Sequence, residues 1–399
     1  MTERRFDIIL FGATGFTGKL VAGYLATKKP LRWAIAGRDR DKLGQLRAQL
    51  GAPELDILVA DALDAAAVAA VARQTRVVCT TAGPYAKYGS AIVAACADVG
   101  THYCDLTGEV QWMRQMIDAH HERARATGAR IVHACGFDSI PSDMGTWGLQ
   151  QEMIARHGAP ATTVTAVYGE LKGGFSGGTA ASALGTAEAA DDPAIRDLLA
   201  NPYSLDPDLG ASRPPVPSDR SIGWNRRLHM FTVPFVMAPL NTRVVRRGHA
   251  LAGYPWGDDF IYREVMSTPG NARGLAMAVG VTTAITGFAL AVKNRRLRPL
   301  IQRRAPKPGE GPPPEVRAAG HWKVRLVGER EGEALVYIAA DRADPGYGST
   351  CKMLGESALC LALDPLTSSG GVTTPSVAMG GALLARLRGA GLSFEPDVR

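Results

Sequence analysis

The chain has few of the features that mark several large functional classes. Its six cysteines, Cys79, Cys96, Cys104, Cys135, Cys351 and Cys360, form no Cys-x-x-Cys pair and do not cluster with the eight histidines. The thiols are therefore read as reduced, and no metal is expected. Aromatic residues make up only 7% of the 399, and no basic stretch is interleaved with them as in a nucleic-acid-binding module, so nucleic acid is not an expected partner. Residues 1–5 lead straight into an apolar run, which leaves no room for a signal or transit peptide and makes a cytoplasmic location the expectation. What is present describes a folded globular protein: 46% hydrophobic and 21% charged residues. The length calls for two domains rather than one core. The net charge of +7 favours acidic partners.

Gly12, Gly15 and Gly18 follow directly on the apolar run Ile8, Ile9, Leu10, Phe11 and open an apolar-periodic stretch at residues 20–25. This reads as strand, glycine turn and helix. Such a turn lets the backbone approach a pyrophosphate, whose charge then sits at the helix N-terminus where free amides and the dipole favour an anion. The spacing is Gly-x-x-Gly-x-x-Gly, not that of the usual dinucleotide fingerprint, so context carries part of the assignment. Gly12, Ala13, Thr14, Gly15, Phe16, Thr17 and Gly18 are the expected phosphate loop. Arg38 ends the second strand, twenty residues after Gly18, where an acidic residue would hold the ribose 2′-hydroxyl of NAD. A guanidinium there suits a 2′-phosphate, which makes NADP(H) the expected cofactor. The competing reading of Arg38 is a solvated charge in the run 38–42, and the adjoining Asp39 keeps a ribose contact open.

Strands are expected at 7–11, 32–36, 55–59, 76–80 and 130–134, with helices between them, the signature of a doubly wound parallel sheet. Asp61 after the third strand would lie near the adenine, and Ala82, Gly83, Pro84 and Tyr85 after the fourth near the nicotinamide ribose; a plain turn is the other reading of Gly83 and Pro84. Beyond Pro141 the pattern changes. Alternation at 162–171, short β-like runs at 322–327 and 335–340, and helical stretches at 177–190 and 348–363 indicate an α+β domain with a mixed, largely antiparallel sheet. The expected division is a Rossmann domain over residues 1–140 and a catalytic domain over 141–369, with residues 370–399, including a helix near 376–388, packing back on the first.

Residues 274–292 are free of charge for nineteen positions and are followed by Lys293, Arg295, Arg296, Arg298, Arg303 and Arg304. Three readings follow: a buried helix or the lining of a lipid cavity, a segment in contact with a membrane surface, or a span. Three glycines, three threonines and a position in mid-domain weigh against the span, and the buried helix is favoured. Residues 305–314, rich in proline, are an expected stiff linker.

Several blocks carry a resemblance. They begin at residues 83–93, 100–109 and 133–145, and continue at 172–179, 346–356 and 370–375. On them the chain resembles the saccharopine dehydrogenase-like oxidoreductases, in their trans-acting enoyl reductase branch, over nearly its full length. The resemblance implies an NADP-binding Rossmann domain, a catalytic α+β domain, and reduction of an enoyl thioester held by a polyketide synthase or a related acidic acyl carrier. Lipid association is known among such proteins, and the sequence leaves room for a homodimer. Saccharopine reductases of the same fold reduce an imine formed from an amino acid, and their carboxylate-rich substrate needs basic residues. Here the block Ser176 to Thr179 is small and uncharged apart from nearby Lys172, which disfavours that alternative. A lipid-associated nucleotide-binding protein without turnover is the third reading.

Reducing a conjugated C=C takes a hydride to the β-carbon, a donor that polarises the thioester carbonyl, and a proton for the α-carbon. Tyr85, Tyr88, Tyr103 and Asp138 are the candidate catalytic groups at strand ends facing the cofactor edge. Tyr103 comes first because a phenol donates to a developing enolate without being charged. His102, Asp105, Glu109, His133, Ser139 and Asp143 lie in the same region. Asp105 reads as a cap, His133 as a core histidine, Cys135 as a buried hydrophobe, and Asp138 as either a contact to the nicotinamide amide or a cap for the following helix.

Overall fold

A computed structural model of the protein describes residues 4–173, 177–210, 213–217, 219–304 and 311–397. The first third alternates strand and helix: β1 Phe6–Phe11, α1 Phe16–Ala26, β2 Trp33–Gly37, α2 Arg40–Gln49, β3 Asp56–Val59, α3 Ala65–Gln74, β4 Thr75–Thr80, α4 Tyr85–Tyr88, α5 Ser90–Val99, β5 His102–Cys104, α6 Val110–Thr127 and β6 Arg130–Val132. Then come α7 Ile140–His157, β7 Thr163–Lys172, α8 Gly177–Ala189, α9 Pro193–Ala200, β8 Gly223–Asn225, β9 Met230–Pro234, α10 Ala238–Leu251, β10 Ile261–Thr268, α11 Ala272–Lys293, α12 Arg298–Arg304 and α13 Pro314–Ala318. The chain ends with β11 His321–Arg330, β12 Glu333–Asp341, a π-type turn Pro345–Ser349, α14 Thr350–Leu363, β13 Gly371–Thr373, α15 Pro375–Gly389 and β14 Ser393–Pro396.

Two seven-stranded sheets result. The first runs β13-β6-β5-β4-β1-β2-β3 and is parallel at every pairing. The second runs β14-β12-β11-β7-β10-β9-β8, with β7 and β10 parallel and the other pairs antiparallel. This is the expected pair: a doubly wound parallel sheet and a mixed, largely antiparallel one.

The first sheet is buried on both faces, which is why β1 is fully buried along its length. Phe6, Ile9 and Phe11 meet the side of α3, α5 and α6. Ile8 and Leu10 join a core that continues through Met353, Leu354 and Ala358 of α14 to Met144, Leu149, Trp322 and Leu326 beside the second sheet. One continuous core therefore underlies both sheets. Glycines let α7 lie close on the second sheet: a Cβ at Gly145 would come within 2.9 Å of Leu326, and one at Gly148 within 2.5 Å of the Tyr337 hydroxyl.

Several sequence-based expectations are corrected. The strand expected at 130–134 is the sixth, not the fifth, and stops at Val132, because Ala134 takes φ 58° and its amide is held by Asp105. The fifth strand, His102–Cys104, is three residues long, too short for a periodicity signal. Residues 370–399 do not return to the nucleotide-binding sheet alone: β13 extends that sheet and β14 extends the other. Part of the expected proline-rich linker, residues 305–310, lies outside the described residues, and Pro314 opens α13 instead of extending a linker. The favoured reading of 274–292 as a buried or cavity-lining helix also fails. Of the 22 residues of α11 only Gly274 and Ala278 are buried.

Candidate functional site

The carboxyl edge of the parallel sheet gathers the sequence motifs. Gly12 leaves β1 at φ 78°, and a Cβ there would meet the Ala82 amide at 2.9 Å; glycine lets the loops after β1 and β4 touch. A Cβ on Gly18 would lie 2.3 Å from the Gly12 carbonyl oxygen, so α1 seats against the loop only with glycine there. Gly15 is the N-cap of α1 and supplies no side-chain cap. The amides of the first turn thus keep their donors for an anion. The Thr81 hydroxyl donates to the Gly12 carbonyl over 3.1 Å and pins the two loops. Ala13 is buried, while Thr14, Phe16 and Thr17 are half-buried. The Phe16 ring meets Tyr347 edge-on at 4.8 Å, and the Arg317 guanidinium lies 5.6 Å from its centroid. Elements near the second sheet therefore reach over the phosphate loop, a contact that the sequence did not reveal because some 300 residues of chain separate its partners.

Arg38 is exposed just past β2, and its guanidinium has no ion pair among the described residues. Asp39 is already occupied, because its carboxylate caps α2 by accepting from the Lys42 amide at 3.1 Å. That hydrogen bond, with the Lys42 ammonium, holds its pKa below the usual range. The residue at hand for a ribose phosphate is the arginine. Asp61, exposed beyond β3, accepts from the Leu63 amide. Gly83 and Pro84 lead into α4, whose first amides, those of Tyr85 and Ala86, both donate to the Glu109 carboxylate at 2.9 Å. The Ser182 hydroxyl of α8 donates to the same carboxylate. Together, the uncapped helix, the close loop approach and the exposed arginine form a cradle that fits NADP(H).

The candidate catalytic residues divide by exposure. Tyr103 is fully buried, and its hydroxyl donates to Asp105 at 2.8 Å. Burial and that carboxylate push the phenol pKa well up. Asp105 also holds the Thr107 and Ala134 amides and His133 Nδ1, so it ties the exit of β5 to that of β6. Tyr85 is buried too, donating to the Thr80 carbonyl and stacking on Trp112 at 5.7 Å. Neither phenol presents its hydroxyl to a ligand. Tyr88 is half-buried on α4, with the Lys87 ammonium 5.1 Å from its ring.

Asp138 stands apart. It lies beyond β6 where the sheets meet, is half-buried, and has no hydrogen-bond partner among the described residues. Burial pushes its carboxyl up to about 6; the Tyr168 hydroxyl is likewise raised, first by its own burial and then by the nearby Glu264 and Asp138 carboxyls. Asp143, one turn into α7, is occupied by the Ser376 amide and hydroxyl at 2.7 and 2.8 Å.

Behind Asp138 lies a buried polar network that sequence reasoning missed. The Ser142 and Tyr168 hydroxyls share a 2.7 Å hydrogen bond. Ser139 donates to Asn241, and Asn241 and Tyr262 donate to the two oxygens of Glu264 at 2.9 and 2.7 Å. Glu264 is fully buried, and burial lifts its carboxyl to about 7. The available signal was a charge in the inward phase of the strand around Tyr262. Phe137, next to Asp138 in the chain, belongs to an aromatic cluster: it meets Trp322 at 5.0 Å and Tyr168 at 6.2 Å, and Tyr168 stacks on Phe235 at 4.0 Å. A separate cavity lined by Tyr203, Arg213, Arg246 and His249 sits under α10, away from this edge.

Comparison with known proteins agrees with this arrangement. The family of saccharopine dehydrogenase NADP-binding domains matches residues 8–132. A Mycobacterium tuberculosis H37Rv protein, named provisionally as a trans-acting enoyl reductase, is 44% identical over 99% of this chain and 98% of its own. The trans-acting enoyl reductase of Mycobacterium leprae is 40% identical over 98% of this chain and 97% of its own. Among solved structures, apo saccharopine dehydrogenase (L-Glu forming) from Saccharomyces cerevisiae shares the fold at 13% identity, with a TM-score of 0.55 over 98% of this chain and 99% of that one. Phosphate loop, sheet order and full-length identity converge, and the chain belongs to the trans-acting enoyl reductase family of saccharopine dehydrogenase-like, NADP-dependent oxidoreductases.

Proposed function

We propose that the protein reduces the carbon–carbon double bond of an enoyl thioester, using NADPH and accepting its substrate from an acyl carrier such as that of a polyketide synthase. The observation that carries this reading is the half-buried carboxyl of Asp138, without a hydrogen-bond partner among the described residues, next to the aromatic cluster of Phe137, Trp322 and Tyr168 at the carboxyl edge of the nucleotide-binding sheet. An apolar unsaturated chain suits those surroundings. A substrate with several carboxylates would need cations; Asp138 has no ion pair among the described residues, and Lys172 is the exposed last residue of β7. The names of the full-length relatives support the same assignment.

When bound, the reduced nicotinamide supplies the hydride that adds to the β-carbon. The chain does the remainder. The loop from Gly12 to Gly18 and Arg38 hold the phosphates, with Ala82 to Pro84 and Asp61 flanking the nucleotide. Asp138, raised to about 6 by burial, is the proton donor in this reading: its protonated fraction, the major form below about pH 6, gives the proton to the α-carbon as negative charge develops there. Tyr88, the phenol of the three with the most exposure, is the donor to the thioester carbonyl in this reading. Tyr103 and Tyr85 keep the strand exits in place. A net charge of +7 complements an acidic carrier, and the reading places the enzyme in the cytoplasm, where such carriers work.

The test is oxidation of NADPH, followed at steady state, with a short 2-enoyl thioester delivered on a carrier or a carrier mimic. Turnover with the enoyl thioester, and none with glutamate plus an aldehyde, is expected. Turnover only with the amino-acid pair would establish the imine reductase instead. Tight NADPH binding without oxidation would identify a nucleotide-binding protein that lacks turnover.

A further inference from the structure

The helix α11 is at odds with its surroundings. It is 22 residues long, its most apolar 18-residue stretch has a mean hydropathy of 2.0, and only Gly274 and Ala278 of it are buried. Leu275, Met277 and Val279 are exposed along its first half, and Phe288 and Leu290, at 53% and 63%, along its second. Water is a poor neighbour for this surface.

The arrangement of these residues identifies what covers them. At about 100° per residue, the half-buried and buried positions Gly274, Ala278, Val281, Thr282, Ile285 and Val292 share one face, with Ala291 near the C-terminal end the one half-buried position outside it, and the helix rests against β9, β10, α8 and α12. The opposite arc, from Leu275 around to Phe288, spans about 220° without a charge. A partner helix from a second copy would cover an apolar stripe of about 100° and leave the remainder wet. A hydrocarbon medium covers the whole arc.

Charge points the same way. Arg273 at one end, and Lys293, Arg296 and Arg303 at and beyond the other, are exposed and have no ion pair among the described residues. Arg298 and Arg295, by contrast, are tied to Asp191. Cations flanking an apolar helix attract anionic lipid head groups. A span is excluded by topology, because the strands on either side of α11, β10 and β11, both pair with β7.

We infer that α11 is an in-plane membrane anchor that docks the enzyme on an anionic bilayer, with its uncharged arc sunk among the acyl chains and its flanking cations at the head groups. The helix is about 33 Å long, and it touches α8, whose Ser182 reaches Glu109 at the nucleotide edge. Docking therefore brings the cleft to the lipid surface.

Flotation with vesicles tests this. Wild-type protein should float with phosphatidylcholine vesicles containing phosphatidylglycerol, and less with phosphatidylcholine alone or in high salt. The double variant Phe288→Asp, Leu290→Asp alters only exposed positions, so its thermal midpoint should be retained while the bound fraction falls about tenfold or more. Lys293→Glu with Arg296→Glu should remove the preference for anionic lipid. As an independent readout, Phe288→Trp should add a fluorescence component quenched by bromine on the acyl chains. Absence of flotation by the wild type, undiminished flotation of the Asp variant, or an unquenched tryptophan would each overturn the proposal. So would a dimer that dissociates in the Asp variant with no vesicle binding, since the arc would then belong to a second copy.

Discussion

Asp138 and Tyr103 belong to the same edge of the parallel sheet, one on β5 and the other just beyond β6, and burial separates their roles. A phenol whose hydroxyl is already spent on Asp105 has nothing to offer a substrate. Tyr103→Phe should leave the single-turnover rate within a few-fold of wild type while lowering stability by about 1–3 kcal/mol, because a buried carboxylate loses one of its donors. Asp138→Asn should do the reverse: NADPH affinity intact, and turnover down about 10²–10⁴-fold. The sign of its pH dependence follows from the acid role. Asp138 must be protonated to act, so the wild-type rate should fall as pH rises through about 6, and that limb should vanish in the variant. Arg38→Asp should weaken NADPH by about 1.5–3 kcal/mol and leave NADH unchanged or tighter, as read by fluorescence titration; equal losses for both cofactors would remove Arg38 from the 2′-phosphate. The placement of Gly12 and Gly18 at the turn into α1, and of Arg38 just past β2, was legible because glycine turns and strand ends are local events. The burial of Tyr103 was not, since the side chains covering it arrive from α5 and α6, and no spacing within residues 102–104 encodes them.

Among the elements, α1 shows how much a single glycine decides. Gly18 and Gly23 stand on the same helix, yet a Cβ at the first would meet Gly12 and Ala13 backbone within 3 Å, and one at the second would meet nothing within 4 Å. Gly18→Ala should therefore push α1 off the loop, weakening NADPH by more than about tenfold and costing about 1–3 kcal/mol. Gly23→Ala should be neutral or stabilising by up to about 1 kcal/mol, since alanine is the better helix former. Unequal effects in cofactor titration and denaturant melts are the expected result; equal ones would show that the loop does not depend on this contact. Helix α10 was illegible in the sequence for a different reason. Arg243, Arg246 and Arg247 look like a solvated basic run, but all three are buried. Arg243 holds the carbonyls of Leu199 and Asn201, Arg246 those of Pro202 and Tyr262, and Arg247 those of Leu205 and Val372. Burial depresses Arg247 to about 9. Guanidiniums can serve as clamps for backbone carbonyls, and composition alone does not distinguish that use from a surface one.

At the scale of the whole molecule, the two sheets share a core and a set of carboxyls raised by burial where they meet, and this makes stability depend on pH in a predictable direction. Asp138 and Asp143 are raised from 3.8 to about 6, and Glu264 from 4.5 to about 7, each first by burial. For these groups the folded state binds more protons than the unfolded one between about pH 4 and 7, so their contribution is fully present below the unfolded values and is lost as pH rises through the folded ones. Glu264 gives the cleanest measurement, because it is fully buried and lies behind the cleft rather than in it. Glu264→Gln keeps an acceptor for Tyr262 or Asn241 and cannot ionise. Relative to wild type, it should gain about 1–3 kcal/mol between pH 5 and pH 8 in urea unfolding, with the NADPH affinity unchanged. Parallel stability curves for the two proteins would mean that Glu264 is already charged at pH 5, and that Asn241 and Tyr262 stabilise its anion more strongly than burial opposes it.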